Sequence, residues 1–172
     1  MKETKKIADE IKEASTVKEA ADIIFKELKR LTGSKCCYVS YIDPENGDNV
    51  AITFTHVTRE CDYYESMKEA RFQRPKNGKY GGLLGYSIDT GKSFFTNDPV
   101  NHPAAHGIPE GHKPIKRFLS VAVKDKKRIL GQIVLGDPPE DYTIEDLKVS
   151  EEIGQAYAII LQKFYEGRIP LR

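Results

Sequence analysis

Three of the four histidines crowd into one stretch, as His102, His106 and His112, spaced four and six residues apart. Imidazole is the commonest transition-metal ligand and can hold haem iron, so this stretch is the first place to look for chemistry. The surrounding residues argue for something plainer. Pro103, Pro109 and Pro114 make the segment extended rather than helical, so a four-residue spacing does not put two rings on one face. No Cys-x-x-Cys or His-Glu-x-x-His pattern accompanies them. In the plainer reading His102 and His112 hydrogen-bond the loop backbone and hold it as a lid, as a buried polar loop requires.

The thiols and the remaining polar candidates are scattered. Cys61 lies in a segment without clear periodicity and is the better candidate for a reactive or haem-attaching thiol. Adjacent Cys36 and Cys37 would point to opposite faces of a strand, one of them as a small core residue. Asn97 and Asp98 precede Pro99, where they could face a pocket or simply begin a turn. Arg117 and Phe118 open a strand beneath the lid; the guanidinium of Arg117 could clamp a carboxylate or phosphate, and could equally lie on the surface. The Tyr63-Tyr64 and Phe94-Phe95 pairs suit packing better than a stacking platform, and Tyr64 and Phe95 are kept as candidates for contact with a ligand.

The elements that must position these residues follow from periodicity. Ile7, Ile11 and Ala14 recur at helical spacing, predicting a short amphipathic helix over 1–15. Thr16-Val17-Lys18-Glu19 has the form of a capping box and predicts a second helix burying Ala20, Ile23, Ile24, Leu28 and Leu31, with Gly33 as its left-handed stop. From Lys35 the period changes to two, and strands over 35–43 and 49–57 around Asp43-Pro44-Glu45-Asn46-Gly47-Asp48 read as a hairpin. Residues 58–82 read as a short helix and a mobile loop, broken by Arg74-Pro75-Lys76-Asn77-Gly78. Leu83, Leu84 and Ile88 before Gly91 predict a short helix, 93–96 a short strand, and 97–114 a long loop. Strands at 117–123 and 129–135 flank a charged turn over 124–128. Thr143 as cap, Asp146 three residues on and a Tyr142 to Leu147 staple open a closing helix, whose apolar face is Leu147, Ile153, Ala156, Tyr157, Ile160, Leu161 and Phe164.

Helices at both ends must cover one face of an antiparallel sheet, an α+β arrangement. The other face then lies under residues 58–116, and a sheet roofed by loops and short helices is a natural place for a small-molecule cavity. Composition agrees with a binding domain or small enzyme. The 172 residues suffice for one domain with its own core, and 39% apolar with 31% charged residues is an ordinary globular balance. Lys plus Arg is 27 against 26 for Asp plus Glu, a net charge of +1, so nothing favours a nucleic-acid or anionic-membrane partner. Three cysteines make a disulfide framework a poor reading. With neither a signal-peptide pattern nor an apolar run long enough for a membrane span, the expectation is a cytoplasmic chain with reduced thiols.

The run GLLGYSIDTGKSFFTND from Gly82, KRFLSVAV from Lys116, ILGQIVLGD from Ile129 and YTIEDLKVSEEIGQAYAIIL from Tyr142 resembles the GAF domain, a ligand-sensing module of signalling proteins. TVKEAADIIFKELKRLTGSKCCYVSYID is similar to that family's opening helix and first strand, so the likeness spans nearly the whole chain as a single domain over 1–172. NHPAAHGIPEGHKPIKRFLSVAV resembles a subgroup found in microbial sensor histidine kinases. The resemblance implies a non-enzymatic sensor holding a small ligand between the sheet and the 58–116 roof, signalling through terminal helices that pair in a homodimer, with a histidine kinase or other signalling protein as partner. Two alternatives follow from the same family. One is a haem or redox sensor using Cys61 or a loop histidine. The other is a reductase of free methionine sulfoxide, which needs a pair of pocket thiols, whereas no cysteine follows Cys61. Neither the cyclic-nucleotide Asn-Lys-x-x-x-Phe-x-x-x-Asp-Glu signature nor the phytochrome Cys-His pair is present. The last helix ends in Glu166-Gly167-Arg168-Ile169-Pro170, which does not continue as a long coiled coil; the expectation is a free-standing domain or a piece of a larger sensor.

Overall fold

A computed structural model describes residues 2–55, 70–107 and 114–172. Helix α1 (Lys2–Lys12) buries Thr4, Ile7, Ala8 and Ile11 along one stripe, and α2 (Val17–Thr32) buries Ala20, Ala21, Ile24 and Leu28. At the start of α2 the amides of Val17, Lys18 and Glu19 all find acceptors. Thr16 Oγ1 accepts from Glu19 N at 3.0 Å, while the Glu19 carboxylate reaches back to Ser15 N at 2.7 Å. The amides of Val17 and Lys18 donate to the carbonyls of Pro170 and Leu171, at 3.2 and 2.9 Å, from the far end of the chain. Gly33 ends the helix at φ +69°, a conformation that costs an L side chain energy and glycine none.

Six strands follow: β1 (Cys36–Ile42), β2 (Asn49–Phe54), β3 (Arg71–Phe72), β4 (Phe94–Thr96), β5 (Phe118–Asp125) and β6 (Arg128–Gly136). They form one sheet in the order β3-β2-β1-β6-β5-β4, with every pair antiparallel. Between β3 and β4 lies α3 (Gly82–Thr90), stopped by Gly91, whose amide donates to Ser87 O. The chain closes with α4 (Ile144–Tyr165), and both bonds of its Thr143/Asp146 capping box are made.

The expected α+β architecture is therefore present, with three differences of detail. Strand β2 ends at Phe54 rather than residue 57; residues 56–69, with the helix expected there, lie outside the described residues. The two-residue β3, which pairs Asn49 with Phe72, was not expected, because a strand that short leaves no alternation to read. The β5–β6 turn is tighter than the five charged residues suggested. Pairing continues to Asp125 opposite Arg128, so Lys126 and Lys127 alone make the turn, with Lys126 at φ +52°. Charged side chains at an exposed hairpin end do not oppose backbone pairing, and a two-residue turn matches the twist of the strands.

The sheet has two unlike faces. On one, Cys37, Val39, Tyr41, Val50, Ile52, Leu119, Val121, Ile133 and Leu135 form a continuous core with α1, α2 and α4. Tyr157, Ile153 and Leu161 of α4 are fully buried there, the two aliphatic side chains each worth roughly 1.5–3 kcal/mol of burial. Helix α4 comes down tightly on β5: a Cβ at Gly154 would lie 2.8 Å from Val121 Cγ1. On the other face Tyr38, Ala51, Phe118 and Val134 make a smaller cluster against Leu83 and Leu84 of α3. Among the described residues, no helix is long and apolar enough to cross a membrane.

Candidate ligand site

Between this second face and α3 lies a cavity of about 710 Å³, within the range that holds small organic ligands. Strand alternation supplies its floor: Tyr38 of β1, Val134 of β6 and Phe118 of β5. Phe54 and Phe72 close one side, Leu83 and Ile88 of α3 form the roof, and Pro99, Val100 and Ile115 border it from the long loop. No Asp, Glu, Lys or Arg lies on the lining among the described residues.

A buried polar network holds α3 over this floor. Gln132, fully buried in the middle of β6, donates from Nε2 to Leu84 O at 2.6 Å, Ser87 Oγ at 3.0 Å and Ser120 Oγ at 2.9 Å. Ser87 and Ser120 share a further hydrogen bond of 2.7 Å. On the opposite side Gln132 Oε1 accepts from Asn49 Nδ2 at 3.0 Å, and Ser40 Oγ donates to the Gln132 carbonyl at 3.3 Å. Helix, three strands and cavity wall are thus joined through one carboxamide. Asn49 lines the cavity, and its Oδ1 is buried with no hydrogen-bond partner among the described residues.

The segment leading into α3 is pinned at the cavity edge. The Arg71 guanidinium bridges Asp43 and Asp48 at 3.0 and 3.1 Å, Arg74 N donates to Asp48, and the Tyr80 hydroxyl donates to Gly47 O. The carboxyl of Asp43 titrates below its ordinary value, chiefly because it accepts the Glu45 amide and secondarily because Arg71 stands beside it. Burial raises the Tyr80 hydroxyl above its ordinary value. Of the two adjacent thiols, Cys37 belongs to the helix-side core, where burial pushes its pKa up to about 12; half-buried Cys36 borders the cavity.

The residues singled out from the sequence are dispersed by the fold. Phe118 and His106 line the cavity, His106 with its ring against Gly81 and Gly82. His102 packs between Tyr86 and Phe94, at centroid distances of 5.4 and 5.1 Å. Its Nδ1 accepts from Ala104 N at 3.1 Å, a bond to loop backbone. Asn97 faces away from the cavity and clasps the backbone of Tyr142 with both ends of its amide, at 3.1 and 2.9 Å. Asp98 accepts from Asn101 within its own turn. Phe95 packs on the helix-side core, and Arg117 pairs with Asp141 at 2.6 Å. Cys61, Tyr64 and His112 lie outside the described residues. Among those described, no three His, Cys, Asp or Glu side chains gather as metal ligands would. Of the residues that do shape the site, Ser87, Ser120 and Gln132 carried one faint signal, a polar residue interrupting an apolar run, whereas Asn49 follows the polar turn Asn46-Gly47-Asp48 and carried none.

The model of the GAF domain family matches residues 14–162. The chain belongs to that family. This GAF domain is 32% identical over 136 residues to the methyl sulfide methyltransferase-associated sensor of Methanosarcina acetivorans, a match covering 78% of the chain and 13% of that much longer relative. Among solved structures it is similar to the GAF domain of an Acinetobacter phosphoenolpyruvate-protein phosphotransferase, with TM-score 0.77 and 15% identity over 95% of this chain and 92% of the other. The GAF domain of the corresponding Coxiella burnetii protein gives TM-score 0.76 and 18% identity, covering 96% and 95%. The fold is common to all three, and a sensor stands among the relatives.

Proposed function

We propose that this GAF domain is a non-enzymatic sensor that binds a small molecule between the sheet and the roof of residues 58–116. The cavity of about 710 Å³ on the face opposite the packed core carries this reading. A domain selected only for stability would fill such a space, because each unfilled void weakens it. The sensor from Methanosarcina acetivorans supports the same reading. Occupancy under α3 would be passed by Gln132 to β6, whose Ile133 and Leu135 bear on the helices behind the sheet. In this reading the terminal helices pair in a homodimer and act on a histidine kinase or another signalling protein. The alternative of a haem or redox sensor would turn to His106, the imidazole on the described lining, whereas no Arg or Lys stands on that lining to pair with haem propionates.

Native mass spectrometry with an absorption spectrum, on protein purified from its expression host and then exposed to a metabolite library, tests the reading. The expected results are a dimer and a ligand that adds its mass at one per chain and raises the melting temperature. A Soret band would replace the organic ligand by haem. A domain that neither carries nor takes up any small molecule would leave the cavity without this role.

A further inference from the structure

The Asn49 carboxamide specifies what the cavity asks of its occupant. Side-chain amide orientation is fixed by partners, and here the partners fix it stepwise. The Leu84 carbonyl can only accept, so the end of Gln132 that lies 2.6 Å away is the amide nitrogen. Gln132 Oε1 is then the atom facing Asn49 at 3.0 Å, and an oxygen there requires a donor, which turns Asn49 Nδ2 toward it. Oδ1 is what Asn49 has left to offer. The residue is fully buried, it lines the cavity, and this oxygen has no partner among the described residues. Rotating the amide would bring two oxygens together at Gln132, so Asn49 cannot exchange its acceptor for a donor without dismantling the network.

We infer that the cavity takes an uncharged, largely apolar molecule whose buried end carries an N–H or O–H donor, and that Asn49 Oδ1 accepts from that donor. The inference rests on the sensor reading of the cavity and adds the chemical class of ligand. The apolar side chains Phe54, Phe72 and Leu83 on the same lining, and the absence of Asp, Glu, Lys and Arg from it among the described residues, leave an ionised ligand with little compensation for its lost hydration. A site built to accept a hydrogen bond rejects an analogue lacking the donor more strongly than an apolar pocket rejects a change of size.

Three probes of one shape separate the outcomes: 4-phenylphenol, its methyl ether, and biphenyl-4-carboxylate. They would be titrated into the full chain at neutral pH by calorimetry, with the Asn49 side-chain amide followed by nuclear magnetic resonance. The phenol is expected to bind about tenfold tighter than the ether or the carboxylate and to shift the Asn49 signal. In Asn49→Leu the phenol should fall to the affinity of the ether. The comparison of probes on the unmodified protein stands even if that variant folds poorly. Equal binding of phenol and ether, tightest binding by the carboxylate, or a preference that survives Asn49→Leu would overturn the role of Asn49 while leaving the cavity a ligand site. If none of the three binds at millimolar concentration, the reading of the cavity as an open ligand site falls too, and the inference with it.

Discussion

Behind the sheet, Val39, Ile133 and Leu135 are sealed under α2 and α4 with Tyr157, Ile153 and Leu161 filling the space between. In front of it, Tyr38, Val134 and Phe118 face α3 across about 710 Å³. The strands are the same ones, and alternate residues along each serve the two sides. The core behind is held by close packing, whereas α3 in front adds to the contacts of Leu83 and Leu84 the directed bonds of Gln132. Packing leaves no room for a guest; a few hydrogen bonds position a roof and leave space beneath it.

Substitutions can break this contrast in order of size. Leu161→Ala empties a fully packed site, and chemical denaturation should show a loss of about 2–5 kcal/mol with the selectivity among cavity probes unchanged. Gln132→Leu should cost about 2–3 kcal/mol, because it strands the Leu84 carbonyl and Asn49 amide in a buried site. Unlike the first variant it should release α3, seen as faster amide exchange through 82–90. Asn97→Ala removes both bonds to the Tyr142 backbone and should lower stability by about 1 kcal/mol, measured in the same denaturation. Leu83→Ala is expected to cost less than about 1 kcal/mol, since this half-buried side chain already borders open space, yet it should change probe affinity.

The smallest effect concerns acid. Asp43 titrates lower in the folded chain than when unfolded, so its contribution is complete above the ordinary aspartate value and fades as the pH falls through the folded value, below about pH 4. Asp43→Asn should lose that small contribution at neutral pH and flatten the acid limb of the stability–pH curve, so that the two proteins converge at low pH.

The helix-side core was readable from the chain because its signals are local. Thr16 with Glu19, Thr143 with Asp146, and the stop at Gly33 each declare an element within a few residues. The cavity side depends on partners distant in sequence. Asn49 meets Gln132 across 83 positions, and Gln132 meets Ser87 across 45, so neither short-range pattern nor residue type says which atoms will be satisfied. Phe94 and Phe95 show the same limit at closest range. Alternation sends them to opposite faces, Phe94 to the cavity side and Phe95 to the core, but which goes where depends on the pairing with β5.

The carbonyls of Pro170 and Leu171 that receive the first amides of α2 tie the last residues of the chain to the start of that helix. Freeing that tail bares two donors at a helix start while Ile169 and Leu171 leave the core they pack against. Hydrogen exchange at Val17 and Lys18 should therefore quicken when the tail is released, a reporter placed near the opposite end of the sequence from the event it records.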